Sequence, residues 1–265
     1  MHSNNEVIIA AAGGGKTTRI VDRVLTALSR RTAVLTFTQV NTEEIAKRFY
    51  ERSGSLPPNA EVWSWFSFLL REMARPYQSS LHPQRIDGMI WCNARSVPYI
   101  PKSKPSQFYF SDRRLIYSDK LSQFIVDCNA ATSGLVIQRL EQRFDQIFVD
   151  EVQDLAGYDL DILELLLESR IQITMVGDHR QATYSTNNSA KHKQFRGAGI
   201  IKKFQEWEKR KLVALRFEGE TYRCHPLIAA FADTLFPSVE STKSLNTATS
   251  GHDGIFQISP RDADE

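Results

Sequence analysis

A lysine and a threonine set behind three glycines are the first residues in this chain whose order suggests chemistry, since Ala10 to Thr17 reads AAAGGGKT. Glycines let backbone N–H groups curl around phosphate oxygens at a helix N-terminus, the Lys16 ammonium can neutralise β/γ-phosphate charge, and the Thr17 hydroxyl can ligate Mg²⁺. The strict pattern begins with Gly, where this chain has Ala10. Much further on, Phe148-Val149-Asp150-Glu151 is an apolar run ending in adjacent carboxylates. Asp150 would hold Mg²⁺, directly or through water, and Glu151 would polarise the water that attacks a γ-phosphate. The plainer readings are a glycine-rich turn and acids favoured at a helix N-terminus; the order and spacing of the two constellations favour the chemistry.

Such residues need strands that end at the site and helices that begin there. Residues 7–10 read as a buried strand, 13–15 as the glycine turn, 17–28 as a helix with apolar residues at helical spacing, 34–37 as a second strand and 42–52 as a second helix. The same rhythm returns at 146–149 (strand), 159–168 (helix) and 171–176 (strand), so the pattern predicts an α/β fold on a parallel sheet. Five of the ten prolines, Pro76, Pro83, Pro98, Pro101 and Pro105, fall within thirty residues among scattered Arg and Lys. That texture reads as an irregular insertion over 73–129, with a helix near 117–130 returning the chain to the core. The aromatic cluster Trp63, Trp65, Phe66 and Phe68 reads mostly as core. After Pro237 the chain reads as a linker ending in a short strand, 254–258.

With 265 residues, 42% hydrophobic and 24% charged, the chain is in the globular range and can bury a sizeable core. Apolar runs fall short of a membrane span, and Cys92, Cys128 and Cys224 are odd in number and widely spaced, which argues against a disulfide framework or a zinc ribbon. A reducing cytoplasm fits best. The net charge of +2 is uninformative, but its distribution is uneven: 141–168 carries nine acids against one base, and 191–211 eight bases against two acids. Two solvated helix faces, or a cation site beside an anion-binding groove, would both produce that segregation.

Taken together these motifs resemble the UvrD/Rep class of superfamily 1 DNA helicases. Ala10 to Thr18 is similar to that family's P-loop, placing Ala12, Gly13, Gly14, Gly15, Lys16, Thr17 and Thr18 at the nucleotide; Leu35-Thr36-Phe37-Thr38-Gln39 resembles motif Ia, and Val62 through Phe68 motif Ib. Asp150-Glu151-Val152-Gln153-Asp154 resembles motif II, Val176 through Tyr184 motif III, and Thr221-Tyr222-Arg223-Cys224 motif IV, so the resemblance runs from about 7 to 258. It implies a RecA-like P-loop NTPase lobe with a small insertion subdomain: 1–72 and 130–236 form the lobe, 73–129 the insertion, and 237–265 a linker with the first strand of a second lobe. It implies ATP and Mg²⁺ as cofactors, Thr17 and Asp150 on the metal, and Glu151, Gln181 and Arg223 as catalytic groups. Single-stranded DNA would lie on Thr38, Gln39, Ser64, Tyr184, Phe195 and Arg196. Packing alone could also account for Tyr184, and capping for Arg223.

The chain departs from the family in three places. No glutamine precedes Lys16 to read the adenine; Phe195-Arg196-Gly197-Ala198 follows an insertion at 186–194 instead of joining motif III directly; and motifs V and VI, with the second lobe's arginine, do not occur before Glu265. A chain so composed is expected to bind Mg·ATP but to hydrolyse it slowly by itself, with Arg223 needing the rest of the second lobe for its placement. The wording of 155–159 and 180–184 also resembles the UvrD-like proteins encoded beside OLD-family nucleases in Gabija-type antiphage systems, which implies such a nuclease as partner. The leading expectation is an ATP-driven motor on single-stranded DNA. The alternative is a nucleotide-sensing regulatory subunit of a nuclease complex that unwinds nothing, and a small-molecule P-loop kinase is disfavoured because it leaves motifs III and IV unexplained.

Overall fold

Every position of β1 (Glu6–Ala10) and β2 (Thr32–Thr36) is buried, the apolar centres and the polar ends Glu6, Thr32 and Thr36 alike, the signature of strands covered on two faces. The computed structural model describes residues 4–112, 114–181, 186, 189, 191–235, 241–248 and 254–256. Between the first strands runs α1 (Lys16–Thr26), which buries Ile20, Val21 and Val24 on one stripe. Next comes α2 (Gln39–Ser53), begun by the Thr38 side chain accepting from the Asn41 N–H and ended at Gly54, whose left-handed backbone (φ 76°) closes on the Tyr50 carbonyl. β3 (Ala60–Ser64) leads into α3 (Trp65–Phe68), a π-helical stretch Leu69–Ala74 and the short α4 (Arg75–Tyr77).

The expected insertion holds small elements of its own: β4 (Gly88–Ile90), α5 (Pro105–Phe108) and β5 (Leu115–Tyr117), with β4 and β5 paired in parallel. Its interior stacks Tyr109, Phe110 and Phe124 edge to face, continuous with the core of the main body. α6 (Ser118–Ala131) brings the chain back, followed by α7 (Leu135–Arg143), β6 (Gln146–Val149), α8 (Tyr158–Leu167), β7 (Gln172–Gly177), α9 (Ile200–Lys209) and β8 (Ala214–Glu218). The two-residue strands β9 (Glu220–Thr221) and β10 (Lys243–Ser244) flank α10 (Pro226–Leu235) and pair with each other.

All six strands of the main sheet are parallel, in the order β3-β2-β6-β7-β1-β8. Alternate side chains on each strand point to opposite faces. Ile8, Val34, Phe148 and Val176 meet α1 and α2 through Ile20, Val21, Ile45 and Phe49, while Val7, Leu35, Ile147, Ile173 and Met175 join the larger core formed with α6 to α9. The result is a three-layer α/β/α lobe.

Two expectations change. The segment at 254–256 is irregular rather than a strand, and 257–258 lies outside the described residues. The acidic and basic runs are partly paired with each other, while Lys193, Lys202, Lys209 and Lys211 stay exposed. Lys203 reaches Glu164 (3.1 Å) and Glu206, Arg210 pairs with Glu164 and Glu168, Lys191 with Asp161 (2.6 Å), and the Trp207 indole donates to Glu164 (3.0 Å). Burial pushes the Glu164 carboxyl up, but the Trp207, Arg210 and Lys203 donors outweigh it and hold the group at about 2.

Candidate nucleotide site and nucleic-acid groove

The carboxyl end of β1 opens into a loop whose shape only glycine permits. At Gly13 (φ 75°) an added Cβ would lie 2.4 Å from Arg223 Cβ, and at Gly14 it would lie 2.7 Å from the Glu220 carbonyl oxygen. Gly15, also left-handed, hands the chain to α1, so Lys16 stands on the first turn. Lys16 is 9% exposed. Two strands away across the sheet, β6 ends at Asp150, which is 4% exposed and accepts a hydrogen bond from the Thr17 hydroxyl at 3.3 Å. Burial, then the neighbouring Glu151, push the Asp150 carboxyl up to about 6, against the pull of Lys16 and the Thr17 hydroxyl. A carboxylate and a hydroxyl are hard oxygen donors suited to Mg²⁺, and a divalent cation would offset the acid repulsion that raises Asp150. Among the described residues no group of three or more His, Cys, Asp or Glu could hold a metal, so such a cation would take phosphate oxygens and water to complete its shell.

Glu151 adopts a left-handed backbone (φ 53°), unusual for a residue with a side chain and commonest at sites where strain serves function. Its carboxylate accepts from Gln153 Nε2 at 2.6 Å, and Gln153 Oε1 in turn accepts the Asp178 N–H at 3.0 Å. Gln153 therefore clips the end of β6 to the end of β7. Gly177 keeps that clip possible, since a Cβ there would lie 2.4 Å from Gln153 Oε1. Sequence reasoning did not assign this glutamine a role; its place two residues from the paired acids was the available signal. Gln181 sits in the short turn His179–Gln181, with its N–H on the Asp178 carbonyl, so it follows directly from the same clip.

The main chain at Arg223 is held against the glycine loop, while the residue itself stays exposed. The Thr221 hydroxyl donates to the Ala12 carbonyl and accepts from the Arg223 N–H, the Tyr222 N–H donates to Gly13, and Asn246 Nδ2 donates to the Arg223 carbonyl. Arg223 is thereby laid over the glycine loop from within residues 12–246. Its neighbour Tyr222, unassigned from sequence, is 62% exposed and lines a groove along α1 with Gly14, Gly15, Thr18 and Asp22. A ring at the rim of a phosphate cradle can stack on a nucleobase. Thr18 faces α2, where its hydroxyl accepts from Arg48 at 2.9 Å.

The residues expected to touch DNA divide into two places. Thr38, Gln39 and Ser64 meet around one groove at the carboxyl ends of β2 and β3. The Thr38 hydroxyl is engaged as the α2 cap, and the Ser64 hydroxyl donates to Ser67 Oγ at 2.8 Å. Phe195 and Arg196 lie apart, on the approach to α9: Phe195 packs on the core beneath His192 and the Lys203 ammonium, and Arg196 donates to the Ser189 carbonyl. The following turn, Gly197–Gly199, rests on His179–Gln181. Tyr184 lies outside the described residues.

A parallel α/β sheet with a glycine-loop lysine at one strand end and paired carboxylates at another defines the class as a RecA-like P-loop lobe. Residues 101–200 match the family model described as the UvrD/REP helicase N-terminal domain. Over those residues the chain is similar to the N-terminal domain of UvrD/REP helicases. No curated protein matches the chain. Among the described residues no helix is long and apolar enough to cross a membrane.

Proposed function

We propose that this chain binds Mg·ATP at the glycine loop, hydrolyses it, and couples that cycle to single-stranded DNA as a helicase or translocase lobe. The observation that carries the reading is the Thr17–Asp150 contact, which brings a P-loop hydroxyl and a buried strand-end carboxylate to one point beside Lys16. The loop N–H groups and the α1 N-terminus would hold the phosphates, with Lys16 as point charge. When bound, Mg²⁺ neutralises charge developing on the transferred phosphoryl group. Thr17 and Asp150 would orient it. Glu151 would take the proton of the attacking water, held in place by Gln153, while Gln181 and Arg223 would report and stabilise the γ-phosphate. Residues 73–129 would act as a 1B-like insertion on the lobe formed by 1–72 and 130–236. The resemblance of 155–159 to Gabija-type proteins extends the reading to antiphage defence beside an OLD-family nuclease, and co-purification with such a subunit would support that extension.

Titration with a fluorescent ATP analogue and Mg²⁺ tests the nucleotide assignment. Lys16→Ala should weaken binding by roughly ten- to a hundred-fold, the worth of a charge-assisted contact, and leave the fold intact. Equal affinity in a correctly folded Lys16→Ala protein would remove the assignment.

A further inference from the structure

One exposed indole is held by the fold instead of hanging from it. Trp91 directly follows β4 of the insertion and is 67% exposed. Its ring nevertheless meets Phe66 edge to face, with centroids 4.9 Å apart at 79°, and Phe66 leans on Phe37 at 6.2 Å. The next residue is pinned as well, since the Cys92 N–H donates to Ser118 Oγ at 2.9 Å. Three rings from three separate segments thus form a row at the carboxyl ends of β2 and β3.

The surroundings select the kind of ligand that such a row would take. Phe37, Gln39, Ser64, Phe66, Met89 and Trp91 line the groove, and among the described residues no carboxylate does. α2 begins at its edge with no acid in its first turn. The Thr38 cap engages the Asn41 N–H, and Gln39, the first residue of the helix, lines the groove, so the positive end of the helix dipole lies at its edge. Aromatic faces beside an anion-favouring helix end fit a base joined to its phosphodiester better than an apolar peptide, which would gain nothing from that end.

We propose that Trp91 is a stacking platform that holds one unstacked base of a single DNA strand at the mouth of this groove, so that the insertion contributes directly to strand binding. The proposal rests on the DNA-binding reading above and adds a residue to it.

Emission of this protein suits the test, because Trp65 and Trp207 are buried and Trp63 is half-buried beneath the Arg71 guanidinium. Trp91 is thus the indole most open to water among the four. Oligothymidylate and an abasic strand of equal length would be titrated at low salt into wild type, Trp91→Ala and Trp91→Phe, with melting curves as fold controls. We expect oligothymidylate to quench emission and to shield the indole from acrylamide. Trp91→Ala should lose roughly five- to a hundred-fold in oligothymidylate affinity, the worth of one stacked base, with unchanged abasic affinity and salt dependence, and Trp91→Phe should recover most of it. If Trp91→Ala binds oligothymidylate within twofold of wild type, or loses both strands equally, the stacking role is wrong while DNA binding stands. If wild type binds neither strand, both this proposal and the DNA reading fall; quenching by an apolar peptide in that case would make the groove a protein-docking surface.

Discussion

At the carboxyl end of β1 the chain offers backbone N–H groups, a buried lysine and, across β7, a buried carboxylate; at the carboxyl ends of β2 and β3 it offers rings and hydroxyls, one of them an indole left largely in water. The first corner is shaped by what is absent. Gly13 and Gly14 admit no side chain, so Arg223 and Glu220 can close directly on the loop. The second is assembled from three segments, none of which is aromatic enough alone. Charge in the first corner is concentrated and desolvated, so losing one group should be severe. Contacts in the second are additive and partly hydrated, so losses there should be graded.

The largest break should come from Glu151→Gln, which keeps the shape and the Gln153 neighbour but cannot accept a proton. Phosphate release in a single turnover should fall by ~10²–10⁴ while ATP still binds; hydrolysis within a few-fold of wild type would leave Glu151 as a strained structural acid. Next is Asp159→Ala, which probes the material between the corners. Asp159 is 1% exposed and accepts from the Trp65 indole, 3.1 Å away, and from the Ser122 and Thr186 hydroxyls. Truncation would strand three buried donors, and urea melts should show a loss of about 3 kcal/mol, with Asp159→Asn milder because it keeps an acceptor. An unchanged midpoint would mean that these donors find other partners.

Third is Gly14→Ala, which forces a methyl toward the Glu220 carbonyl and should weaken nucleotide binding and cost ~1–3 kcal/mol of stability. Thermal melting with and without ATP separates the two effects. The smallest effect belongs to acid pH. The folded Glu164 carboxyl, at about 2, lies below its ordinary value, so its contribution is complete at neutral pH and is lost as pH falls from the ordinary carboxylate range toward 2. Because the group is partly hydrated, that contribution is discounted to about 1 kcal/mol. Glu164→Gln should flatten the acid limb of the stability profile by this amount and leave the nucleotide corner unaltered; an identical acid limb would show that the α8–α9 ion pairs contribute nothing net.

What could be read from sequence follows from distance along the chain. The P-loop and the paired acids carry their meaning within a few residues, because a glycine turn between strand and helix and an apolar strand ending in carboxylates are local patterns. The strands at 7–10, 34–37 and 146–149 were legible for the same reason, being apolar on both faces. Trp91 was not, because its significance depends on Phe66, and nothing in the spacing of the two says that an insertion folds back onto β3. The pairing within the charged runs was hidden for the same reason. Asp161 and Lys191, or Glu164 and Lys203, become partners only once α8 and α9 lie side by side. Gln153 was hidden differently: a glutamine beside two acids looks like solvent-facing polarity until the fold turns both ends of its amide inward.

The sheet order carries a last consequence, for how the chain is made. Of the strands of the main sheet β1 is made first, but it lies between β7 and β8, with Glu6 opposite Thr174 on one side and Ala214 on the other. Residues 6–10 therefore wait, with their hydrogen-bonding edges open and the apolar side chains of 7–10 uncovered, until residues 172–177 and then 214–218 have been synthesised. β2 and β3, adjacent in sequence and in space, can pair much earlier. The segment bearing the glycine loop is thus among the last to be locked in. Slow long-range closure of this kind exposes a sticky strand during synthesis, and truncations that end before residue 214 should accumulate as aggregates bound to chaperones rather than as a smaller folded lobe.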